Sequence, residues 1–379
     1  MIATTNKPQL IHSSDTLAMD LAEAFSRNAA QHDNDQTFVF ENYERLKEEK
    51  LFSAIIPVEL GGGGWSYYKM CCFLKDIAKG CSSTALAFSM HQHLVAANVW
   101  KYKNGQGSEE MLRRIAANQL VLVSTGAADW LSSSGNIRKA EGGYRVTARK
   151  NFASQSPVGD LLVTSATFHD PENGMQVLHF GVPFSSEGIT VEDNWYAMGM
   201  RGTGSCSVSL KEVFVPETSI SLRRPMGEFH PFWNVVITVA MPFIMSAYVG
   251  IAEKATEIAL QKVNKKQEPH TPYLLGEMFN NLTKAQVLWE DMIRLSNNFH
   301  FKLATENANA ILMRKTIAAE ACIETVQKAI EATGGQGYLQ KTGLEKLLRD
   351  VMAVNFHPLP EKDQHLFTGN FMLGNRITG

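Results

Sequence analysis

Residues 198–216 read Met-Gly-Met-Arg-Gly-Thr-Gly-Ser-Cys-Ser-Val-Ser-Leu-Lys-Glu-Val-Phe-Val-Pro, and the chain changes character on either side of this run. Glycines punctuate the first half, whereas Cys206–Val215 is rich in residues that favour strands. After Pro216 the apolar residues recur every three or four positions, as they do on one face of a helix. The run therefore predicts a strand at the boundary between a β segment and a helical segment.

Upstream of this run, the region that begins at Leu120 alternates apolar and polar residues. Its β-prone stretches are short and are separated by turn residues such as Gly142-Gly143 and Asn173-Gly174. Several short strands at such intervals favour a small β-barrel or a sandwich. The stretches are Leu120–Ser124, Tyr144–Lys150, Leu161–Ala166, Gln176–Val182 and Ile189–Glu192.

Both flanks of this β segment have the pattern of helices. The first 119 residues contain helix formers of mixed charge at Leu21–Ala30 and Glu41–Lys50. In the last third, apolar residues three and four apart predict one helix from Leu275 to Leu295 and another from about Glu306 to Glu331. Long helices with short connections pack as an antiparallel bundle. The predicted order is therefore α, then β, then an α-helical bundle.

Composition and cysteine pattern narrow the class of protein. The 379 residues include 36 Lys and Arg against 38 Asp and Glu, so the basic excess that nucleic-acid binding requires is missing. The five cysteines form no Cys-x-x-Cys pair and have no metal-ligand spacing with the histidines, which predicts reduced thiols, a cytoplasmic location and no metal centre. Residues 1–16 lack the apolar core of a signal peptide.

One run is apolar enough to be compared with a membrane span. No residue between Phe229 and Ala252 is charged. The run nevertheless contains several polar residues and a proline, and no Lys/Arg asymmetry flanks it. We therefore predict a helix buried on all sides within a bundle, and no membrane contact.

The order of segments resembles the acyl-CoA dehydrogenase superfamily of flavoproteins. Four short motifs carry this resemblance over essentially the whole chain, each weak alone but all in the correct order and spacing. They are Pro57-Val-Glu-Leu-Gly-Gly, Lys150-Asn-Phe-Ala-Ser154 after Gly142-Gly143-Tyr144, Met198–Ser205 closing on Val213-Phe-Val-Pro216, and Glu331-Ala-Thr-Gly-Gly-Gln-Gly-Tyr338 followed by Arg349-Asp350. The resemblance implies a mainly α fold with a central β-barrel: an N-terminal α-helical domain (1–119), a central β-barrel domain (120–217) and a C-terminal four-helix bundle (218–379). It also implies a homotetramer or a homodimer.

The resemblance further implies a flavin cofactor, FAD or alternatively FMN. By position in the motifs, Ser124 and Thr125 would hydrogen-bond the flavin, and Phe152 and Ser154 would lie on and beside its ring. A flavin needs such an apolar face together with hydrogen-bond donors at the ring edge. The alternative for the hydroxyl residues is an ordinary place on a strand.

Other parts of the cofactor would be bound elsewhere in the chain. Gly334 and Gly335 would admit the pyrophosphate or ribityl part of a flavin from a neighbouring subunit, although a helix cap and turn accounts for them equally well. After Lys265, the family's Arg-x-x-Phe-Gly contact to the adenine half of FAD is replaced by Lys266-Gln-Glu-Pro269. This departure leaves both FAD and FMN open.

The catalytic glutamate of the dehydrogenases is absent from this chain. In that family it removes the α-proton of an acyl thioester and follows the Arg-Asp pair in a Tyr-Glu-Gly-Thr segment. Here His357 takes the Tyr place and Pro358 the Glu place. Some members carry the base on the first bundle helix instead, where this chain has Asn234. Because a general base contributes about 10²–10⁴ in rate, its absence from both positions disfavours ordinary dehydrogenation.

The remaining pattern resembles the second branch of the superfamily, the two-component monooxygenases that use reduced flavin. The substrate loop differs from that of the dehydrogenases over residues 125–135. The monooxygenases place a histidine on an N-terminal helix, a serine on the strand of the second motif and a histidine near the C-terminus; here these are His91 (or His93), Ser154 and His357. His91 and His93 are two residues apart, so at most one of them faces the flavin. For His91 the alternative is domain packing, and for His357 a rigid loop before proline.

These features together predict a flavin-dependent oxidoreductase, with monooxygenation favoured over oxidation of a CH–CH bond of an acyl thioester. Its substrate would be a small molecule or an acyl thioester, and its redox partner a flavin reductase or an electron-transfer flavoprotein. The alternative from another class is a non-catalytic flavin- or acyl-binding scaffold that has lost the glutamate.

Overall fold

The computed structural model of the protein describes residues 16–125, 131–263 and 268–377. Within these ranges a helical part, a β sheet and a second helical part follow one another, which confirms the predicted α–β–α order. The N-terminal helices are α1 (Thr16–Asp35), α2 (Phe40–Glu48), α3 (Tyr67–Ala78), α4 (Ser82–Lys103) and α5 (Glu109–Asn118).

Helix α4 is the central helix of the N-terminal part. It has no Asp, Glu, Lys or Arg from Ser82 to Trp100, and most of its side chains are buried. A helix that is apolar around its whole circumference must be covered on all sides. The less buried side chains up to Lys101 recur every three or four residues and so form a single stripe. They are Met90, Leu94, Asn98 and Lys101.

The central part is one mixed sheet of eight described strands. Its order is β6-β7-β3-β2-β4-β5-β8, and β1 pairs in parallel with β4. Among the described strand pairings, β6 and β8 remain edges, so the closed barrel of the prediction is not confirmed. The strands are β1 (Leu122–Ser124), β2 (Asn136–Ala140), β3 (Gly143–Ala153), β4 (Leu161–Asp170), β5 (Gly174–Pro183), β6 (Ile189–Val191), β7 (Cys206–Pro216) and β8 (Ile220–Pro225).

The sheet extends beyond the predicted domain boundary at residue 217. Strand β8 follows β7 after a single 3-10 turn at Glu217–Ser219 and pairs antiparallel with β5. The sequence signal was misleading because Pro216 resembles a terminator, whereas it only ends β7 before the turn. The sheet therefore ends at Pro225, and the first C-terminal helix begins at Phe232.

The C-terminal part is built around helix α6. Three long helices provide most of this bundle in the described residues, and two short ones pack against α8, where the prediction was a four-helix bundle. Helix α6 is the one described helix long and apolar enough to cross a membrane, and nearly all of that apolar window is buried inside the protein. The prediction of a buried bundle helix is confirmed. The helices are α6 (Phe232–Val263), α7 (Thr271–Ser296), α8 (Thr305–Thr333), α9 (Leu344–Val351) and α10 (Glu361–Met372).

A buried charge network joins the N-terminal part to the bundle. Lys75 and Lys79 of α3 bind one carboxylate oxygen of Glu253 on α6, at 2.9 and 2.7 Å. The other oxygen of Glu253 accepts from Gln286 of α7 at 2.8 Å. Burial alone would raise the pKa of Glu253, but the two ammonium groups hold it below the ordinary value of 4.5.

We expect the substitution Glu253→Gln to make the free energy of unfolding less sensitive to a fall in pH. Since the pKa of Glu253 is depressed in the folded state, its contribution is complete above about pH 4.5 and is lost as the pH falls through the folded value. At pH 7 the variant should lose about 2 kcal/mol of unfolding free energy, the worth of hydrogen bonds to charged groups. Urea unfolding at several pH values measures the difference between the proteins, which should shrink in acid. A difference that stays constant with pH would contradict this origin.

The pair Arg349-Asp350 connects all three parts of the chain. Asp350 is fully buried and accepts from Ser82 of α4 at 2.5 Å and from the backbone N–H of Met200 at 2.5 Å. Its cation partner is Lys346, one turn earlier on α9, at 2.6 Å. Burial would raise the pKa of Asp350, but Lys346 and these donors keep it below its ordinary value. The carboxylate therefore fixes the 198–205 turn to α4 and to the bundle.

Arg349, the neighbour of Asp350 on α9, also connects this helix to the N-terminal part of the chain. Arg349 binds both carboxylate oxygens of Asp33 on α1, at 3.0 and 2.6 Å. At Gly199, a Cβ would lie 2.2 Å from the Arg349 carbonyl oxygen, so the turn approaches α9 more closely than any side chain allows. The Gly-x-Arg-Gly motif is thus explained by packing against the Arg-Asp motif.

Candidate active site

A cavity of about 1670 Å³ lies where the three parts of the chain meet. The sheet forms one wall, through residues of β1, β3, β4 and β5 and the turn at 195–205. The less buried stripe of α4 and one face of α6 form the opposite wall, and the loop after α9 closes one end. The space is large enough for a cofactor together with a small substrate.

Phe152 is presented to the cavity by a distortion of β3. The register of β3 against β7 shifts between Lys150 and Ala153, and Phe152 has a φ of +57°. Its ring is 68% exposed and meets the ring of Trp195 edge to face at 6.3 Å between centroids. A positive φ at phenylalanine costs conformational free energy, and an exposed ring gains little from burial in return. Such backbone strain concentrates at functional sites. The bulge therefore supports the prediction that Phe152 faces the cofactor.

Hydroxyl groups line the sheet wall on both sides of this ring. Ser154 Oγ lies 2.8 Å from Ser205 Oγ, which in turn lies 2.7 Å from Thr203 Oγ1. Thr125 Oγ1 lies 2.6 Å from Thr164 Oγ1 on the adjacent strand. Ser124, Thr125 and Ser154 all line the cavity. Paired hydroxyls can each turn a proton or a lone pair outward, which suits the mixed donors and acceptors of a flavin ring edge.

His357 is fixed at the end of the cavity by partners from two bundle helices. Tyr248 of α6 places its hydroxyl 2.6 Å from His357 Nε2. Lys315 of α8 donates to the backbone carbonyls of His357 and Leu359, at 3.1 and 3.0 Å. Burial, and then the nearby Lys315 ammonium, lower the pKa of His357 to about 3. The imidazole is therefore neutral at physiological pH.

The tautomer of His357 follows from its partner. The Tyr248 hydroxyl is fully buried, and burial raises its pKa well above the ordinary value, so it remains protonated. Its proton needs an acceptor, and among the described residues the one hydrogen-bond partner of this hydroxyl is His357 Nε2. When Tyr248 donates to Nε2, the hydrogen of the ring is on Nδ1. His357 then offers a neutral N–H donor at the cavity wall.

Of the two histidines on α4, the structure places His93 and not His91 on the cavity wall. His91 is fully buried, with Nε2 2.8 Å from the Phe52 carbonyl and Nδ1 accepting from the Leu122 backbone N–H at 3.0 Å. Because both ring nitrogens are occupied, His91 joins α4 to β1, which favours the packing alternative over its predicted catalytic role. His93 Nδ1, in contrast, is buried with no hydrogen-bond partner among the described residues.

The positions where the family carries its glutamate offer no base here. Pro358 lines the cavity, whereas Asn234 lies beside the wall and donates to Thr305 Oγ1 at 3.2 Å. Among the described lining residues the one carboxylate is Glu110, an exposed residue near the start of α5. Four histidines line the same cavity, and within the described ranges no group of three His, Cys, Asp or Glu is placed as metal ligands.

Several predicted features lie away from this cavity or outside the described residues. Gly334 and Gly335 are at the end of α8, are not on the cavity wall, and have no atom within 4 Å of a Cβ added there. Their contact to a neighbouring subunit's cofactor stays a prediction. The altered substrate loop (126–130), the replaced adenine contact (264–267) and the N-terminal residues 1–15 are outside the described residues.

The sequence did not single out Tyr248 and Lys315, which hold His357. Lys315 had a usable signal, because it falls in the apolar stripe of α8 with Leu312 and Ala319, where a lysine is unusual. Burial lowers the pKa of Lys315 to about 8. Tyr248 had only the weaker signal of a polar tip within the buried run of α6.

The wall therefore fits a flavin. An exposed, strained aromatic ring lies next to paired hydroxyls, and a neutral histidine closes the end of a cavity that all three parts of the chain shape. Ser124, Thr125, Phe152 and Ser154 are the residues that would hold the ring. This fold and site define a flavin-dependent oxidoreductase.

Comparison with known proteins gives the family. The model of the acyl-CoA dehydrogenase N-terminal domain matches residues 15–119, and that of the acyl-CoA dehydrogenase C-terminal domain matches residues 243–361, together more than half of the chain. The protein belongs to the acyl-CoA dehydrogenase superfamily.

Its relatives include both dehydrogenases and monooxygenases. The putative acyl-CoA dehydrogenase YdbM of Bacillus subtilis (strain 168) is 25% identical over 369 residues, covering 89% of this chain and 91% of the relative. The probable FMNH2-dependent monooxygenase SfnC of Pseudomonas putida is 24% identical over 361 residues, with 90% of each chain covered. The structure of KijD3 in complex with FMN and dTDP-3-amino-2,3,6-trideoxy-4-keto-3-methyl-D-glucose aligns with a TM-score of 0.85 at 24% identity, covering 97% of this chain and 95% of that one. This last likeness shows the fold.

We expect Ser154→Ala to weaken flavin binding about five- to tenfold, the worth of one hydrogen bond. The reason is that Ser154 Oγ lies on the cavity wall and is held by Ser205 alone among the described residues. Fluorescence titration with FMN and with FAD measures the change. The matched control is Ser209→Ala on β7, whose hydroxyl binds Glu192 and does not line the cavity. Equal losses in both variants would contradict the assignment.

Proposed function

We propose that the protein is the oxygenase component of a two-component flavin monooxygenase, which takes reduced FMN from a separate flavin reductase. The observation that carries the proposal is the chemistry of the cavity wall. Among the described lining residues it has four histidines and a row of hydroxyls, but no carboxylate apart from exposed Glu110. A dehydrogenase needs a carboxylate base beside its substrate, whereas an oxygenase needs neutral donors.

The roles of the chain's own residues follow from their positions. Reduced flavin, when bound, supplies the electrons that activate oxygen. Phe152 would support one part of its ring, and Ser124, Thr125 and Ser154 would orient the ring by hydrogen bonds. His357 would donate from Nδ1 toward the reacting oxygen, and His93 would serve a similar purpose from α4.

The closure of the site is the second requirement. Helices α4 and α6 and the Phe356–Pro360 segment line the cavity with mostly apolar side chains, which would help to keep water from the reacting atoms once flavin and substrate fill the space. Lys315 keeps this segment in place through the carbonyls of His357 and Leu359. An oxygenase needs such a barrier because water promotes unproductive loss of peroxide.

FMN is proposed over FAD, and a small molecule over an acyl thioester. The name of the relative SfnC specifies FMNH2, and the KijD3 complex contains FMN. The test is anaerobic equilibrium dialysis of the protein with oxidised and reduced FMN and FAD. We expect reduced FMN to bind most tightly; preferential binding of oxidised FAD would contradict the proposal.

The likeness to YdbM keeps acyl-CoA dehydrogenation as the second candidate. It would make an electron-transfer flavoprotein the redox partner in place of a flavin reductase. Anaerobic mixing of flavin-loaded protein with acyl-CoA thioesters of several chain lengths distinguishes the two. Bleaching of the flavin would establish dehydrogenation.

Assembly and location are further parts of the proposal. Exposed apolar side chains on the bundle and C-terminal segments support a homodimer or homotetramer; they are Tyr338, Phe356, Met372 and Leu373. The unpaired cysteines support a cytoplasmic location. Light scattering of the purified protein measures its molecular mass, which should be two or four times that of one chain.

A further inference from the structure

Lys101 stands out on the cavity wall as a cation without a carboxylate. It lies in the last turn of α4, on the same less buried stripe as Met90, Leu94 and Asn98. Among the described residues it forms no ion pair, and its recorded neighbour is the ring of Phe232, 4.4 Å from the ammonium to the ring centroid. Burial lowers its pKa, and within the described ranges no acidic neighbour acts against this. A partly buried ammonium of this kind is a natural partner for an anion.

Neighbouring side chains add hydrogen-bond donors to the same end of the cavity. His179 of β5 and His230 also line the wall, and burial first, then Arg224 and other cations that include Lys101, lowers the pKa of His179 to about 3. Arg224 donates from Nε to His179 Nε2 at 3.1 Å, so the ring hydrogen of His179 is on Nδ1. The described histidines of this wall therefore offer N–H donors to a ligand.

The wall between this end and the reacting end is apolar. Leu94 and Ala97 of α4 line this part of the cavity together with Ala240 and Ile244 of α6. His93 and Lys101 are eight residues apart on one helix, which corresponds to about 12 Å along its axis. A molecule that filled this space would need an apolar body of about that length and an anionic group at one end.

We propose that Lys101 binds an anionic group of the substrate, so that the substrate is an amphipathic carboxylate, sulfonate or phosphate ester whose apolar part points toward His93 and His357. This inference rests on the proposed function for the reacting end of the cavity. The phosphate of FMN has the same chemistry and is the other possible source of the anion. If the anion belongs to the substrate, removing the charge of Lys101 weakens substrate binding. If it is the phosphate of FMN, the same change weakens FMN binding.

The test measures binding without turnover. Phenylalkanoates of three to eight carbons in the side chain, and the uncharged amide of each, are titrated into the FMN-loaded protein by calorimetry. We expect at least one carboxylate to bind about tenfold more tightly than its amide, as for a charge-assisted hydrogen bond. Lys101→Gln should abolish this preference and leave amide binding unchanged, and Lys101→Arg should retain it. The matched control is Lys103→Gln, an exposed lysine on the same helix that does not line this cavity.

Three results would overturn the proposal. One is that no carboxylate binds more tightly than its amide in the wild-type protein. Another is that Lys101→Gln keeps the preference. The third is that Lys101→Gln weakens binding of FMN but not of riboflavin, which would assign the anion to the flavin. If the carboxylate preference depends on Lys101 but the protein uses no oxygen, the oxygenase function is contradicted. The anion site is supported all the same.

Discussion

Replacing Asp350 with alanine is expected to lower the free energy of unfolding by about 3 to 5 kcal/mol, the cost of breaking a buried ion pair by removing one partner. The substitution leaves the Lys346 ammonium without its carboxylate and removes the acceptor of Ser82 and of the Met200 N–H. Because these contacts join α9, α4 and the turn at 198–205, their loss should lower the denaturant concentration at which the whole protein unfolds. Chemical denaturation followed by circular dichroism measures it.

Two further variants establish the origin of that loss. Glu320→Ala removes an exposed carboxylate of α8 that makes no recorded ion pair, and should change stability by less than about 0.5 kcal/mol. The double variant Asp350→Ala with Lys346→Met should recover part of the loss, since no charge is then left unpaired. A loss below about 1 kcal/mol for Asp350→Ala would show that the carboxylate does not hold the three parts together.

His357→Ala is expected to reduce productive oxygen use about 100-fold, the usual cost of removing one preorganised donor. The physical reason is that His357 is a neutral imidazole on the cavity wall whose Nδ1–H is left to donate, while Tyr248 and Lys315 hold it in place. The measurement is the fraction of reduced FMN consumed that appears as oxygenated substrate and the fraction that appears as free peroxide. Reduced FMN should bind the variant within about threefold of wild type, since the hydroxyls that hold the ring are unchanged.

The pH profile and two companion variants make this prediction specific. Since the pKa of His357 is about 3, its own titration should produce no acid limb between about pH 5 and 8. Tyr248→Phe should give an intermediate loss, because the tautomer is then no longer fixed. His365→Gln, an exposed histidine of α10, is the control and should behave like wild type. An unchanged product yield in His357→Ala would contradict the assigned role.

The order of segments could be predicted because periodicity reports directly which face of an element is buried. The run from Phe229 to Ala252 has no polar face, and the structure buries it as α6. The resemblance also singled out Ser124, Thr125, Phe152, Ser154 and His357, and the structure places all five on one cavity wall.

What the sequence could not show are features that depend on contacts between distant segments. His91 and His93 have the same local surroundings, and only the approach of Phe52 and Leu122 decides that His91 is the packing residue. Strand β8 has little β signal of its own and is defined by its pairing with β5. Lys101 looks like an ordinary surface residue at the end of its helix until the neighbouring elements are assembled around it.

The most direct test of the oxygenase account is the rate of peroxide release when reduced FMN reacts with oxygen on the protein without substrate. Free reduced FMN releases peroxide rapidly, and a closed site with neutral donors should slow that release by about tenfold or more. We predict this slowing for the wild-type protein and its loss in His357→Ala. Peroxide release from the wild-type protein at the rate of free reduced FMN would contradict the account.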